Sequence, residues 1–154
     1  MTHIDIRTTE AGDIPGLQGV LQATALFPAE LLPELLAPSL DGQSPALWLT
    51  AMRGGTPAGL CYCLPEEMTE GTWNMRALAL HPDWHGRGYG AALVAAAEQQ
   101  LRAAGHRLLL VDTSSGPSFA GACRFYARVG YEEEARIRDF WAAGDDKIVF
   151  RKSL

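Results

Sequence analysis

Positive charge is in short supply. Thirteen lysines and arginines stand against eighteen aspartates and glutamates, a formal net charge of −5 with the four histidines neutral. A grip on the nucleic-acid backbone needs a net basic face, so nucleic acid is not expected as a partner. Long hydrophobic runs are missing as well. No stretch approaches the roughly 20 residues of a membrane span, and the N-terminus MTHIDIRTTE does not read as a signal peptide, so no membrane association is expected. Only three cysteines occur, none at the spacing of a structural zinc site, and no metal site is assigned. Cys61 and Cys63 lie two apart in an apolar stretch, so on a strand they share one face. They read as reduced thiols of a cytoplasmic protein. Internal repeats, low-complexity tracts and dividing linkers are also lacking. With 154 residues, 47% of them apolar and 20% charged, the composition is that of an ordinary globular chain, and a single domain over residues 1–154 is expected.

What is present is a regular alternation of elements. His3 to Arg7 alternates apolar and polar residues and predicts a first strand. Asp13 stands where it can cap the helix that follows, and Pro28 and Pro33 divide Ile14 to Leu40 into two short helices. Two strands, Ala46 to Met52 and Ala58 to Leu64, flank the turn signal Arg53-Gly54-Gly55-Thr56-Pro57. A fourth strand runs from Thr72 to Leu80, stopped by His81-Pro82. From Tyr89 to Ala104 the apolar stripe Leu93, Val94, Ala97, Leu101 and Ala104 predicts a helix closed by Gly105. Leu108 to Val111 reads as a strand buried on both faces. Phe119, Ala122, Cys123, Tyr126 and Val129 repeat at helical spacing, and two strands near Tyr131–Phe140 and Lys147–Lys152 end the chain. The order β-αα-βββ-α-β-α-ββ predicts a mixed α/β sheet.

The most informative segment joins the fourth strand to the long helix: His85-Gly86-Arg87-Gly88-Tyr89-Gly90-Ala91. Glycines allow a tight turn and a close ligand approach, and free N–H groups at a helix start form an anion site suited to pyrophosphate. Gly86 to Ala91 fits the dinucleotide fingerprint G-x-G-x-x-A, but that loop belongs after a first strand rather than a fourth. A Walker-type loop is excluded because no G-K-[ST] is present.

Leu78-Ala79-Leu80-His81-Pro82 followed by His85 to Gly90, and later Ala122, Phe125, Tyr126, Gly130 and Tyr131, resemble two motifs of the GNAT superfamily of N-acetyltransferases in their order. The resemblance covers nearly the whole chain. It implies the GNAT fold, with about seven strands in a splayed mixed sheet and about four helices. Acetyl-CoA is the implied acyl donor, held where the fourth and fifth strands part. The backbone of Leu78 and Leu80 would pair with the pantetheine arm, and the Leu80 N–H would polarise the thioester carbonyl. The N–H groups of Gly86 to Ala91 would hold the pyrophosphate, with charge added by Arg87. His85 replaces the family's usual Gln or Arg. Phe119 replaces an Asn that in relatives helps hold pantetheine, and offers apolar contact only.

Tyr126 matches the family tyrosine that acts as general acid on the departing thiol. The acceptor implied is an amine on a small molecule or peptide, attacking the thioester directly, on a monomer or homodimer. An alkylamine is neutral in only about one molecule in 2,500 at pH 7, so a base is wanted. Some relatives carry a glutamate where this chain has Asn74, which cannot serve. Glu66, Glu67, Glu70 and His81 are the candidates. Asp145 or Asp146 could contact a cationic substrate, although a turn aspartate bonding its own backbone is the simpler reading. Trp48, Trp73, Trp84 and Trp141 could line a pocket. The rival readings are a catalytically idle acyl-CoA-binding module, motivated by Asn74 and Phe119, and a dinucleotide-binding oxidoreductase.

Overall fold

The computed structural model describes residues 4–154; His3, the start of the expected first strand, lies outside them. In chain order the elements are β1 (Asp5–Thr8), α1 (Ile14–Thr24), α2 (Leu32–Leu40), β2 (Leu47–Arg53), β3 (Thr56–Pro65), β4 (Thr72–Leu80), α3 (Tyr89–Ala103), β5 (Leu108–Ser114), α4 (Ala120–Arg128), β6 (Glu132–Ala142) and β7 (Asp145–Ser153). Seven strands form one sheet in the order β1-β2-β3-β4-β5-β7-β6. Among the described strands only β4 and β5 pair in parallel, because α3 is a crossover long enough to return the chain in the same direction. Gly54 and Gly55 link β2 to β3 with both φ angles positive, +57° and +80°, as a tight two-residue hairpin requires.

Each face of the sheet is covered. On one, Leu93, Val94 and Ala97 of α3 pack against Met75, Leu109 and Phe150. On the other, Leu17, Leu21, Leu32 and Leu36 of α1 and α2 cover Leu60, Ala77 and Ala79. Burying each of these leucines contributes about 1.5–3 kcal/mol relative to leaving it exposed. Strand β4 feeds both layers because it changes face partway along. Tyr62 pairs with Ala77 and Cys63 with Met75, so Arg76 is an extra residue without a partner on β3. Such a bulge reverses the alternation of side chains, placing Met75 on the α3 side and Ala77 on the α1 side.

Several local expectations are corrected. Asp13 does not cap α1; its carboxylate accepts the Glu10 N–H at 2.8 Å and both arms of the Arg7 guanidinium at 2.7 and 2.8 Å. Those bonds, the arginine's first, hold the Asp13 carboxyl below the usual carboxylate range. The two short helices are as expected, with Pro33 in the first turn of α2, where its missing N–H costs nothing. Ala104 lies exposed beyond the end of α3. Within the apolar run Leu108 to Val111 of β5, Leu109 and Val111 are buried, while Leu108 and Leu110 are half-covered. Phe119, expected on the stripe of the fourth helix, precedes α4 and is 40% exposed. Another expectation holds: Glu132-Glu133-Glu134 reads as a solvated strand start, and all eleven residues of β6, at the open edge of the sheet, are exposed. Charges along such an edge discourage pairing with other chains.

One buried polar cluster ties the last elements together. Glu98 of α3, 6% exposed, accepts the Tyr131 hydroxyl at 2.7 Å and the Lys152 ammonium at 3.1 Å. Lys152 also donates to the Val129 carbonyl at 3.0 Å. Lys152→Met is expected to lower unfolding free energy by about 2 kcal/mol, since a buried carboxylate and a carbonyl each lose a donor. Denaturant melts check this. In a Glu98→Met/Lys152→Met double variant the loss should fall short of the sum of the two single losses.

Candidate active site

The sheet opens where β4 and β5 part. The two strands pair from Thr72 and Leu108 to Met75 and Val111, and beyond Met75 β4 keeps only β3. The His81 N–H donates to the Ala58 carbonyl at 2.8 Å. By the alternation of an antiparallel ladder, Ala79 therefore also faces β3, and Leu78 and Leu80 turn their backbone groups toward the gap. One of those groups is already engaged, because a His85 ring nitrogen lies 2.8 Å from the Leu80 carbonyl oxygen. The Leu80 N–H and the Leu78 groups still face the gap. On the other flank β3 presses close: a Cβ on Gly59 would meet the Ala79 carbonyl oxygen at 2.7 Å.

The glycine loop delivers a helix start to the same end of the gap. Gly86 and Gly88 have φ of +76° and +80° with nothing within 4 Å of a notional Cβ, so backbone conformation rather than space demands glycine there. Gly90 differs, since its Cβ would rest on the Phe125 ring at 3.4 Å. Gly88 is the N-cap residue of α3 and no side chain caps the helix. The N–H groups of Gly90 and Ala91 thus have no helical partner, and the dipole adds positive potential. Two cations stack on Trp84, just ahead of the loop: the Arg53 guanidinium carbon lies 4.1 Å from the ring centroid and that of Arg87 5.3 Å. Arg53 also donates from Nε to the Tyr89 hydroxyl at 3.3 Å. Nothing in the sequence singled out Arg53, which reaches the loop only through the β2–β3 hairpin.

Tyr126 stands across the gap on α4. It is 7% exposed, among Phe125, Tyr131 and Phe150 at ring distances of 5.4, 5.8 and 5.7 Å. Burial, above all, pushes its phenol pKa well up, so it stays protonated at neutral pH. Its hydroxyl makes no hydrogen bond among the described residues. It borders a cavity of about 350 Å³ between the parted strands, with Leu78, Phe119, Trp141, Asp112 and Asp145 also on the wall. A larger cavity of about 510 Å³, bordered by Glu66, Trp73 and His106, does not reach these groups.

The polar groups divide clearly. Asp145 lies on the cavity wall, where it accepts a hydrogen bond from the Ser114 hydroxyl. Asp146 serves the turn, taking the Asp139 N–H at 3.0 Å and Arg136 at 2.9 Å, which hold its pKa below the usual range. Among the suggested bases, Glu66, Glu67, Glu70 and His81 all lie off this wall. Glu66 instead accepts from the Asn74 amide at 3.1 Å, and His81 Nδ1 accepts the Asp83 N–H at 3.1 Å. Sequence reasoning missed Asp112. Its Oδ2 meets the Lys147 ammonium and the Asn74 Nδ2, each at 3.3 Å, which leaves Oδ1 without a partner among the described residues. The available signal was position, the first charged residue at the carboxyl end of an apolar strand. Of the tryptophans only Trp141 borders this cavity; Trp48 is buried and stacked on Tyr62. No described helix is long and apolar enough to cross a membrane.

Known proteins share this fold. A family model described as acetyltransferase (GNAT) family matches residues 19–131. A crystal structure of a GNAT-family protein from Desulfovibrio desulfuricans is 30% identical and superposes with a TM-score of 0.91, covering 98% of this chain and 99% of the other. The ribosomal-protein-alanine N-acetyltransferase of Brucella melitensis is 20% identical, TM-score 0.78, over 97% and 99% of the two chains. The PaiA N-acetyltransferase of Thermoplasma acidophilum, in complex with coenzyme A, is 17% identical, TM-score 0.77, over 99% of each. No curated protein matches in sequence.

Proposed function

Since the chain belongs to the GNAT acetyltransferase family, we propose that it moves an acetyl group from acetyl-CoA directly to an amine of a small molecule or peptide. A single domain with a cytoplasmic location is part of this reading, and the free Cys61 and Cys63 thiols, hydrogen-bonded at 3.8 Å rather than joined in a disulfide, suit a reducing compartment. The observation that carries it is the convergence, on one gap in the sheet, of an uncapped helix start, a strand edge and a protonated phenol. Gly86 to Ala91 hold the pyrophosphate through backbone N–H groups, with Arg87 and Arg53 adding charge. Pantetheine lies along Leu78 and Leu80 and displaces His85 from the Leu80 carbonyl. The Leu80 N–H steadies the oxyanion that forms when the amine attacks the thioester carbon. Asp112 Oδ1 takes the proton from the attacking nitrogen, and Tyr126 donates to the sulfur as the carbon–sulfur bond breaks. Phe119 supplies apolar contact.

Steady-state release of free coenzyme A with a panel of amines tests the reading. Stoichiometric binding without turnover would favour the idle module instead. The loop has its own test. Gly88→Val forces a branched side chain into left-handed backbone at a cost of about 1–2 kcal/mol and should weaken coenzyme A binding about tenfold. Calorimetry reads this, and an unchanged affinity would remove the loop from the cofactor site.

A further inference from the structure

The acceptor leaves a trace in one side chain that the chemistry above does not use. Arg76 is the extra residue of the β4 bulge, and it also lies one step past the last β4–β5 pair. The strand there has lost a partner on both sides. The side chain is exposed yet borders the 350 Å³ cavity, and it makes no hydrogen bond or ion pair among the described residues.

Of the other charged groups on that wall, Asp112 is paired with Lys147 through Oδ2 and Asp145 accepts the Ser114 hydroxyl, and neither forms an ion pair with Arg76. Most of the remaining lining is apolar, including Leu26, Met75, Phe119 and Trp141. The exposed guanidinium acts electrostatically on the Tyr62 phenol but pairs with no carboxylate, which leaves it able to take an anion at the mouth of this apolar pocket. The planar fork of arginine suits a carboxylate, which it can hold through two parallel bonds.

We infer that the acceptor is a small amine carrying a carboxylate a few bonds from its reactive nitrogen, and that Arg76 holds that carboxylate while the nitrogen meets the thioester beside Tyr126. This rests on the acetyl-transfer reading. Arg76 is then a residue of specificity, setting which amine enters rather than how the acetyl group moves.

The test compares β-alanine with its carboxamide and with propylamine as acceptors for the intact protein and for Arg76→Gln. The carboxylate should raise kcat/KM about tenfold or more, mostly through KM, as a charge-assisted pair implies. In Arg76→Gln that preference should vanish, with propylamine turnover and coenzyme A affinity unchanged. A second arm needs no turnover: the coenzyme A-loaded protein is titrated calorimetrically with N-acetyl-β-alanine and with its carboxamide. Selective binding of the acid that is lost in Arg76→Gln supports the proposal. Equal handling of acid and carboxamide in both arms overturns it, as does a preference surviving in Arg76→Gln or a loss of coenzyme A binding there. Failure of these three amines and of the wider amine panel to release coenzyme A would overturn acetyl transfer itself, and the titration would then decide whether Arg76 still reads a carboxylate.

Discussion

Tyr126→Phe is expected to lower kcat about a hundredfold while coenzyme A affinity stays within about twofold, the lower end of what a lost general acid costs. The lower end applies because of burial. A phenol ordinarily loses its proton near pH 10 and a thiol near 8.5, and burial drives the Tyr126 phenol further up. Full proton transfer to the departing thiolate is therefore uphill, and Tyr126 acts as a hydrogen-bond donor to developing negative charge. The same shift fixes the pH dependence. Because the phenol stays protonated well past neutrality, it adds no alkaline limb to the rate profile between about pH 7 and 9. Phenylalanine keeps the ring contacts with Phe125, Tyr131 and Phe150, so folding should be spared. A kcat equal to that of the parent would leave Tyr126 as core and nothing more.

The site was legible where chemistry is local and hidden where it depends on register. Thr72 to Leu80 could be read as a strand because His81-Pro82 stops it, and the glycine loop because Gly86 and Gly88 need backbone that other residues avoid. The element order followed from similarly local signals. Arg76 is different: a bulge exists only relative to a partner strand, so no pattern within β4 marks it. Asp112 became visible only when β7 brought Lys147 beside it and the parted strands left one of its oxygens unmatched. Phe119 misled for the opposite reason. Its spacing fits the stripe of α4, but the helix begins one residue later, and the ring stays on the cavity wall. Periodicity gives the face of a helix and not where that helix starts.

Asp112→Asn should have the largest effect of all, lowering kcat/KM at pH 7 about a hundredfold to a thousandfold, the range for a lost general base. Two controls separate that role from the ion pair with Lys147. Lys147→Met removes the partner and keeps the carboxylate, so it should retain activity within about tenfold if the base is Asp112. The second control is the slope of rate against pH. With the carboxylate present, the transition state retains the proton brought in by the ammonium, and the profile is shallow near neutrality. Without it the acceptor must arrive neutral. Its neutral fraction grows about tenfold for each pH unit below an amine pKa near 10.4, so the variant's kcat/KM should climb that steeply. The deficit then narrows as the solution becomes more alkaline. Parallel profiles for parent and Asp112→Asn, offset by a constant factor, would mean that Asp112 only holds Lys147 and Asn74 in place. The proton would then leave by another route.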